Sequence, residues 1–246
     1  MWNEPRQLNA VSLAVAICVA ALTAWGTLAW LVRQPAFAIR EVVITTKLAH
    51  ASGPHVEAIV REQLAGTFFT LDLDRARHAL AQVPWVRSVA LRRQWPRRLE
   101  IDVEEHVALA RWYDAGLVNT HGEIFIADFN GELPQFAGPD GTSAPMAARY
   151  REWNELLAPL AMTVRELTLS QRGGWQITAG GAPAPLTIEL GHDDPAGRLA
   201  RFVAAHDRTI GALARAGRPI TQVDLRYRNG FAARVPGFRE KPTTKS

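Results

Sequence analysis

The chain has one cysteine among its 246 residues, Cys18. That cysteine lies inside an apolar run, so the remainder has no disulfide and no thiolate metal site. The larger part must bury its own core, because nothing covalent holds it together. A cysteine-free domain of this kind is compatible with a bacterial periplasm, and a cytosolic domain would read the same. The seven histidines are scattered and form no HExxH or HxxxH pair. There is no GxSxG, no SxxK, no Gly-rich phosphate loop and no dinucleotide fingerprint. Glu104-Glu105 are adjacent on a strand pattern, so they point to opposite faces and cannot work as a pair. Asp193-Asp194 precede a helix pattern, where acids favour the positive N-terminal end. No catalytic constellation, metal site or cofactor site is legible, and the reading is non-enzymatic. The net charge of +4 is only mildly basic, a weak sign of nucleic acid.

Charge is also missing from Asn9 to Val32, a run rich in Ala, Leu, Val and Ile. A bilayer core needs roughly 20 apolar residues at 1.5 Å rise per residue. The run predicts one transmembrane helix over 9–33, behind a tail over 1–8. Trp25 and Trp30 stand near one end, where indoles favour the interface. The rival reading is a cleaved signal peptide, with Ala36-Phe37-Ala38 resembling a cleavage site. A signal core is about 7–15 residues, well short of this run. Flanking charge leaves orientation open: Arg6 is offset by Glu4 on one side, and Arg33 and Arg40 stand on the other.

A first unit follows the Pro35 linker. Glu41 to Thr46 is β-branched and reads as a strand. Ser52-Gly53-Pro54 opens a helix with Val56, Ile59, Val60 and Leu64 on one face, ended by Gly66. A second helix starts at Asp72 or Asp74, turns Ala76, Ala79 and Leu80 inward, and stops at Pro84. Strands Val86–Gln94 and Leu99–Val103 then flank Trp95-Pro96-Arg97-Arg98. Leu99, Ile101 and Val103 alternate with Glu100, Asp102 and Glu104, giving one buried and one acidic face. The order is β-α-α-β-β.

The second unit is richer in short strands: Val107–Trp112, Leu117–Asn119, Ile124–Ile126, Val164–Ser170, Trp175–Thr178 and Leu186–Leu190. One helix aligns Tyr150, Trp153, Leu157 and Leu160. Another aligns Leu199, Phe202, Val203, Ile210 and Leu213 and ends at Gly217 and Pro219. Gly138–Pro145 and Ala179–Pro185 read as loops. Val223, Leu225 and Tyr227 alternate with Asp224, Arg226 and Arg228. Asn229-Gly230 then signals a tight turn, and Phe231–Val235 returns as the last strand. The tail after Pro236 is polar and reads as disordered.

Arg87, Arg92, Arg93, Arg97 and Arg98 form the most conspicuous charge cluster. It reads either as a phosphate-binding patch or as cross-strand pairing with Glu100, Asp102 and Glu104. The second is favoured, because the opposing charges are local.

At this point the residues carry a family likeness. Leu80-x-x-Val83-Pro84-Trp85-Val86-x-x-Val89-x-Leu91-Arg92-Arg93-Gln94-Trp95-Pro96-x-x-Leu99 resembles the POTRA signature of the FtsQ/DivIB family. His106-Val107-Ala108-Leu109-Ala110-Arg111-Trp112 resembles that family's junction between POTRA and β domains. Arg198-Leu199-Ala200-Arg201-Phe202 and Val223-Asp224-Leu225-Arg226-Tyr227 resemble two later segments. The likeness implies an α+β protein: a single transmembrane helix, a POTRA domain over 37–105, a mixed β domain over 106–236 with two helices on a twisted sheet, and a disordered tail over 237–246. It implies a cytoplasmic N-terminus, a periplasmic ectodomain and an inner-membrane scaffold at the division septum. Its partners would be FtsB and FtsL, with other division proteins on the POTRA domain and no nucleic acid.

In the family the C-terminal strand pairs with a strand of FtsB. The matching positions are Tyr227, Asn229, Gly230, Phe231, Ala232, Ala233, Arg234 and Val235, with Arg226 and Arg172 beside them. Three features depart from the family pattern. The leading tail is short, Arg228-Asn229 replaces an acidic-plus-Ser turn, and Val235 stands where an aromatic is common. From the residues alone, a last strand has one free edge for strand addition, with Tyr227, Phe231, Arg226 and Arg172 as anchors. The competing reading has Tyr227 and Phe231 filling the core. Competing functions are a POTRA-bearing assembly factor, a membrane-tethered periplasmic enzyme and an anchored nucleic-acid binder.

Overall fold

The computed structural model describes residues 5–51, 53–63, 67–113, 115–180, 185–218, 220–227 and 230–235. A continuous helix, α1 (Pro5–Val32), opens the chain. Its uncharged part, Asn9–Val32, is 24 residues with no buried surface. At 1.5 Å per residue that is about 36 Å, enough to cross a hydrocarbon core of about 30 Å. Its two threonine hydroxyls turn back onto the helix: Thr23 donates to the Val19 carbonyl at 2.9 Å, and Thr27 donates to that of Thr23. These two hydroxyls are thus satisfied without water, as a lipid environment requires. The chain divides into two compact units, Met1–Glu105 and His106–Ser246.

The first unit contains β1 (Glu41–Ile44), α2 (Gly53–Gln63), α3 (Leu73–Leu80), β2 (Val86–Gln94) and β3 (Arg98–Glu105). This is the β-α-α-β-β order read from the sequence. The sheet order is β1-β3-β2, with β1 parallel and β2 antiparallel to β3. Since β3 is central, Leu99, Ile101 and Val103 are fully buried beneath Val56, Val60, Ala76 and Leu80. Ala79 is only half-buried. Asp72 caps α3, accepting the N–H groups of Asp74 and Arg75 at 3.0 Å each. β1 stops before Thr45, although Thr45 N–H still donates to Ile101 at 2.9 Å. Ser52, Leu64 and Gly66 lie outside the described residues.

The second unit contains β4 (Ala108–Trp112), β5 (Gly116–Asn119), β6 (Ile124–Phe125), β7 (Gln135–Ala137) and α4 (Ser143–Leu157). It continues with β8 (Thr163–Leu169), β9 (Trp175–Gly180), β10 (Leu186–Gly191), α5 (Pro195–His206), α6 (Ile210–Arg215), β11 (Gln222–Asp224) and β12 (Ala232–Arg234). Among the described residues these strands form one nine-stranded sheet, ordered β12-β11-β10-β9-β8-β7-β4-β5-β6. α4 lies on β8 and α5 on β10, and the two helices touch each other. The core between sheet and helices centres on Phe136, Trp153, Leu167, Ile188 and Phe202.

Several expectations need correction. The single late helix is two, because Thr209 leaves helical geometry at φ −121°, ψ −91°. Its hydroxyl donates to the Ala205 carbonyl at 2.8 Å, a local bond that competes with helix continuation. The Gly138–Pro145 loop is shorter than expected, since α4 already begins at Ser143. β7 was not foreseen, and it bridges β4 and β8 in parallel on both sides. Ile126, expected in a strand, is 80% exposed and lies beyond β6. The strand from Val223 ends at Asp224, and the last strand is Ala232–Arg234, shorter at both ends than Phe231–Val235. Residues 181–184, Pro219, Arg228, Asn229 and the tail from Pro236 lie outside the described residues.

Candidate functional site

The candidate site is the end of the large sheet formed by β11 and β12. Its backbone polarity follows from β10. Thr187 N–H donates to the Thr221 carbonyl, and Leu225 N–H to that of Glu189, both at 2.9 Å. Residues 223 and 225 therefore turn their peptide groups toward β10, as Thr221 does its carbonyl, although Thr221 N–H donates to the Arg234 carbonyl at 3.4 Å. Successive residues alternate, so Gln222 and Asp224 turn theirs toward β12. Their partners there are Arg234 and Ala232, which close the internal ladder. Ala233, opposite Val223, consequently directs its N–H and C=O away from the sheet. Among the described residues no strand pairs with that outer side.

Beside this edge, Val223 and Leu225 are buried, whereas Tyr227 is 60% exposed. The alternation that would have sunk Tyr227 ends with the strand at Asp224. Arg226 is clamped rather than free. Its Nε and Nη2 reach the Asp224 carboxylate at 2.9 and 2.6 Å, and Nη2 is 3.2 Å from Glu189. The Arg226 hydrogen bond holds the Asp224 carboxyl below the ordinary aspartate range despite partial burial, and the same pair raises the guanidinium pKa. This clamp, with Arg226 N–H donating to the Asp224 carboxylate at 3.0 Å, ties down the chain as it leaves β11.

A groove of about 380 Å³ opens next to Tyr227, lined chiefly by Arg198, Arg201, Phe202, Leu225 and Phe231. Phe231 is half-buried, edge-on to Phe202 at 6.2 Å, so it serves the core more than the surface. Val235 also packs partly on the core. Arg198 donates to the Leu190 carbonyl at 2.5 Å, and Arg201 stands 3.6 Å from Asp194. Gly191 passes between two arginines at φ +72°; a Cβ there would lie 2.7 Å from an Arg198 nitrogen. The result is an apolar floor with a cationic rim. Gly230, Ala232, Ala233 and Arg234 are exposed, and Asn229 lies outside the described residues.

Arg172 is less close. It lies exposed in the turn between β8 and β9, at the same end of the sheet. Three strand spacings, about 14 Å, separate that turn from the β11–β12 connection. The site residues missed from the sequence are Arg198, Arg201 and Phe202 of α5. Their i, i+3, i+4 spacing puts them on one helical face, and that was the available signal.

Elsewhere several charges are spent locally. Arg87 pairs with Glu104 at 2.7 Å as expected, but Arg98 pairs with Glu41 of β1 and reaches only the Gln94 amide oxygen across the hairpin, at 3.2 Å. Arg93 donates to the Leu71 carbonyl at 2.5 Å. Glu105 is not a solvated strand end. It accepts the N–H groups of Ala49, His50 and Ala51 at 2.8, 3.1 and 2.6 Å. Its burial raises the carboxyl pKa, and these three backbone bonds outweigh that and leave it lowered. Asp194 caps α5 through Gly197 N–H at 3.1 Å, as read from the sequence. No group of three potential metal ligands occurs among the described residues.

Comparison with known proteins adds the following. Residues 37–106 match the model described as POTRA domain, FtsQ-type, and residues 110–226 match that of cell division protein FtsQ/DivIB, C-terminal. The chain is 41% identical to the cell division protein FtsQ of Burkholderia pseudomallei, over 97% of this chain and 96% of that one. It is 37% identical to the FtsQ of Bordetella pertussis, over 94% and 92%. The FtsQ of Nitrosospira multiformis is 35% identical, over 95% and 99%.

Proposed function

The chain belongs to the FtsQ/DivIB family of cell division proteins, and from that premise we propose that it is a non-enzymatic scaffold of the division machinery. Its domains would be a cytoplasmic tail over 1–8, a transmembrane helix over 9–33, a POTRA domain over 37–105, a β domain over 106–236 and a polar tail over 237–246. The ectodomain lies in the periplasm at the septum, and joins the FtsB–FtsL pair to other division proteins that meet the POTRA domain. A reporter enzyme that works only after export, fused behind Ser246, should be active. Full activity of a cytoplasm-only reporter there would sink the topology.

One observation carries the partner reading: β12 is an edge strand whose Ala233 peptide groups face outward. Such an edge accepts an added strand, with main-chain bonds for affinity and side chains for specificity. Tyr227 and the groove on α5 are placed to read side chains of that strand, with Arg226 beside Tyr227 and Arg172 further along the same end. The matched family segment ends at residue 226, so support for this edge comes from its geometry.

The test is co-purification of FtsB–FtsL with the full chain, beside a thermal melt. Ala233→Pro should remove the outward donor while sparing the β11 ladder, so binding is lost and the fold kept. Ala232→Pro should instead break the ladder and lower the melting temperature. If proline at 233 unfolds the domain, Ala233→Lys blunts the edge without altering the backbone. Undiminished binding by a folded Ala233 variant rules out strand addition here.

A further inference from the structure

The chain direction through the POTRA unit sorts its loops onto two ends. β1 starts soon after the anchor and runs away from it; α2 returns, α3 leaves, β2 returns and β3 leaves. The β2–β3 tip therefore stands at the end where the chain emerges from α1. Hydrogen bonds fix this: Arg40 N–H donates to the Arg97 carbonyl at 3.0 Å, and Phe68 N–H to that of Phe37 at 2.7 Å. The Thr67 hydroxyl donates to the carbonyl of Val32, the last residue of α1, at 2.6 Å. From Val32 to Arg40 the chain can reach at most about 29 Å, and less with a 3₁₀ turn in it.

The tip is unlike an ordinary hairpin turn. Trp95 is 74% exposed. With Arg40, Arg97 and Arg98 it lines a hollow of about 430 Å³ whose one carboxylate is Glu41. Glu41 is taken by Arg98, which leaves Arg40 and Arg97 with no acidic partner among the described residues. Phe69, in the neighbouring loop, is half exposed and packs on Phe37. Asp72 and Asp74 also stand at this end, but one caps α3 and the other pairs with Arg77 at 2.5 Å. Indole rings favour the headgroup layer, and unpaired guanidinium groups within a Debye length of a membrane favour anionic lipid.

We propose that the β2–β3 tip, through Trp95, Arg40 and Arg97, docks on anionic phospholipid headgroups of the membrane that α1 spans. This rests on α1 being a span, not on the partner edge. Docking at this point restrains the POTRA unit against the membrane and leaves its far end, with Glu105, directed away.

The test uses the full chain with Cys18→Ser and Gln94→Cys, carrying a fluorophore at position 94, in lipid nanodiscs with a nitroxide on the headgroups. Quenching should be about threefold stronger in discs containing phosphatidylglycerol than in pure phosphatidylcholine. Arg40→Gln with Arg97→Gln should abolish the difference, Trp95→Ser should weaken it, and Arg92→Gln with Arg93→Gln should leave most of it. Equal quenching in both lipids, or a difference untouched by the Arg40 and Arg97 changes, overturns the proposal. Reversal by inorganic phosphate but not by chloride at the same ionic strength also overturns it, since the tip would then be a free-anion site. Alkaline extraction reads the span separately: a chain released without detergent refutes the span, whereas a retained but unquenched chain refutes only the docking.

Discussion

β2 and β12 are both edge strands, and they treat that exposure in opposite ways. β2 is nine residues long and pairs with β3 at eight positions. Its register shifts between Val86 and Ser88, and Arg87, Arg92 and Arg93 stud its length. A bulge and charged side chains are the usual guards against a further strand. β12 has three residues, an unbroken register and alanines at its first two positions. It has no bulge, and its one charged residue is Arg234 at the last position. An edge long enough to template aggregation is blocked, and an edge too short to do so alone is left open. The contrast supports the proposal of strand addition at the C-terminal end of the large sheet rather than at β2.

The largest effect should come from separating the two units energetically. Ile101 is fully buried at the centre of β3, paired with Ile44 on one side and Leu91 on the other. Ile101→Ala should cost about 3 kcal/mol. A melt should show the loss in the POTRA unit, while FtsB–FtsL binding at β12 persists. Loss of binding in parallel would mean that the open edge depends on the guarded sheet.

Much of this was legible beforehand, for local reasons. Leu99, Ile101 and Val103 announced their face by strict alternation, and Asp72 announced a helix start by its capping chemistry. What escaped depended on distant partners. β7 is Gln-Phe-Ala between Pro134 and Pro139, too short for any periodicity; it is a strand because β4 and β8 flank it. The break at Thr209 carries no Gly or Pro, and the apolar stripe runs through it undisturbed. Tyr227 continued an alternation in sequence after the strand itself had ended. At the site, the edge was foreseen from chain order, but the groove was not, because Arg198 and Arg201 meet Tyr227 only through the fold.

A smaller effect concerns the link between β3 and the loop before α2. Glu105 receives three backbone N–H groups there, and its ring neighbour His50 stacks on Trp85 at 4.1 Å. Glu105→Gln should cost about 2 kcal/mol at neutral pH, as hydrogen bonds to a charged acceptor do. The folded carboxyl pKa is lowered, so its contribution is complete above the unfolded value of about 4.3 and fades as pH falls through the folded one. Melts of the two proteins should therefore converge in acid. A gap that widens below pH 4 would show that the carboxylate is not what holds the loop.

The smallest effect should be at the guards themselves. Arg92 is exposed and faces the half-buried Glu100 across the hairpin, but no bond joins them. Arg93 reaches only a backbone carbonyl. Exposed charge pairs contribute roughly 0–1 kcal/mol, so Arg92→Gln with Arg93→Gln should shift the melting temperature little. Nor should it alter DNA retention at physiological salt, because the net charge of +4 and the local carboxylates leave no strong phosphate field. What the substitution should change is association. With those two charges removed, β2 keeps only its bulge and the neighbouring Arg87 as barriers to a second edge. Light scattering at rising concentration should show self-association of the variant and none of the parent. If the variant stays monomeric, the bulge and Arg87 are enough to guard β2 without the other two arginines.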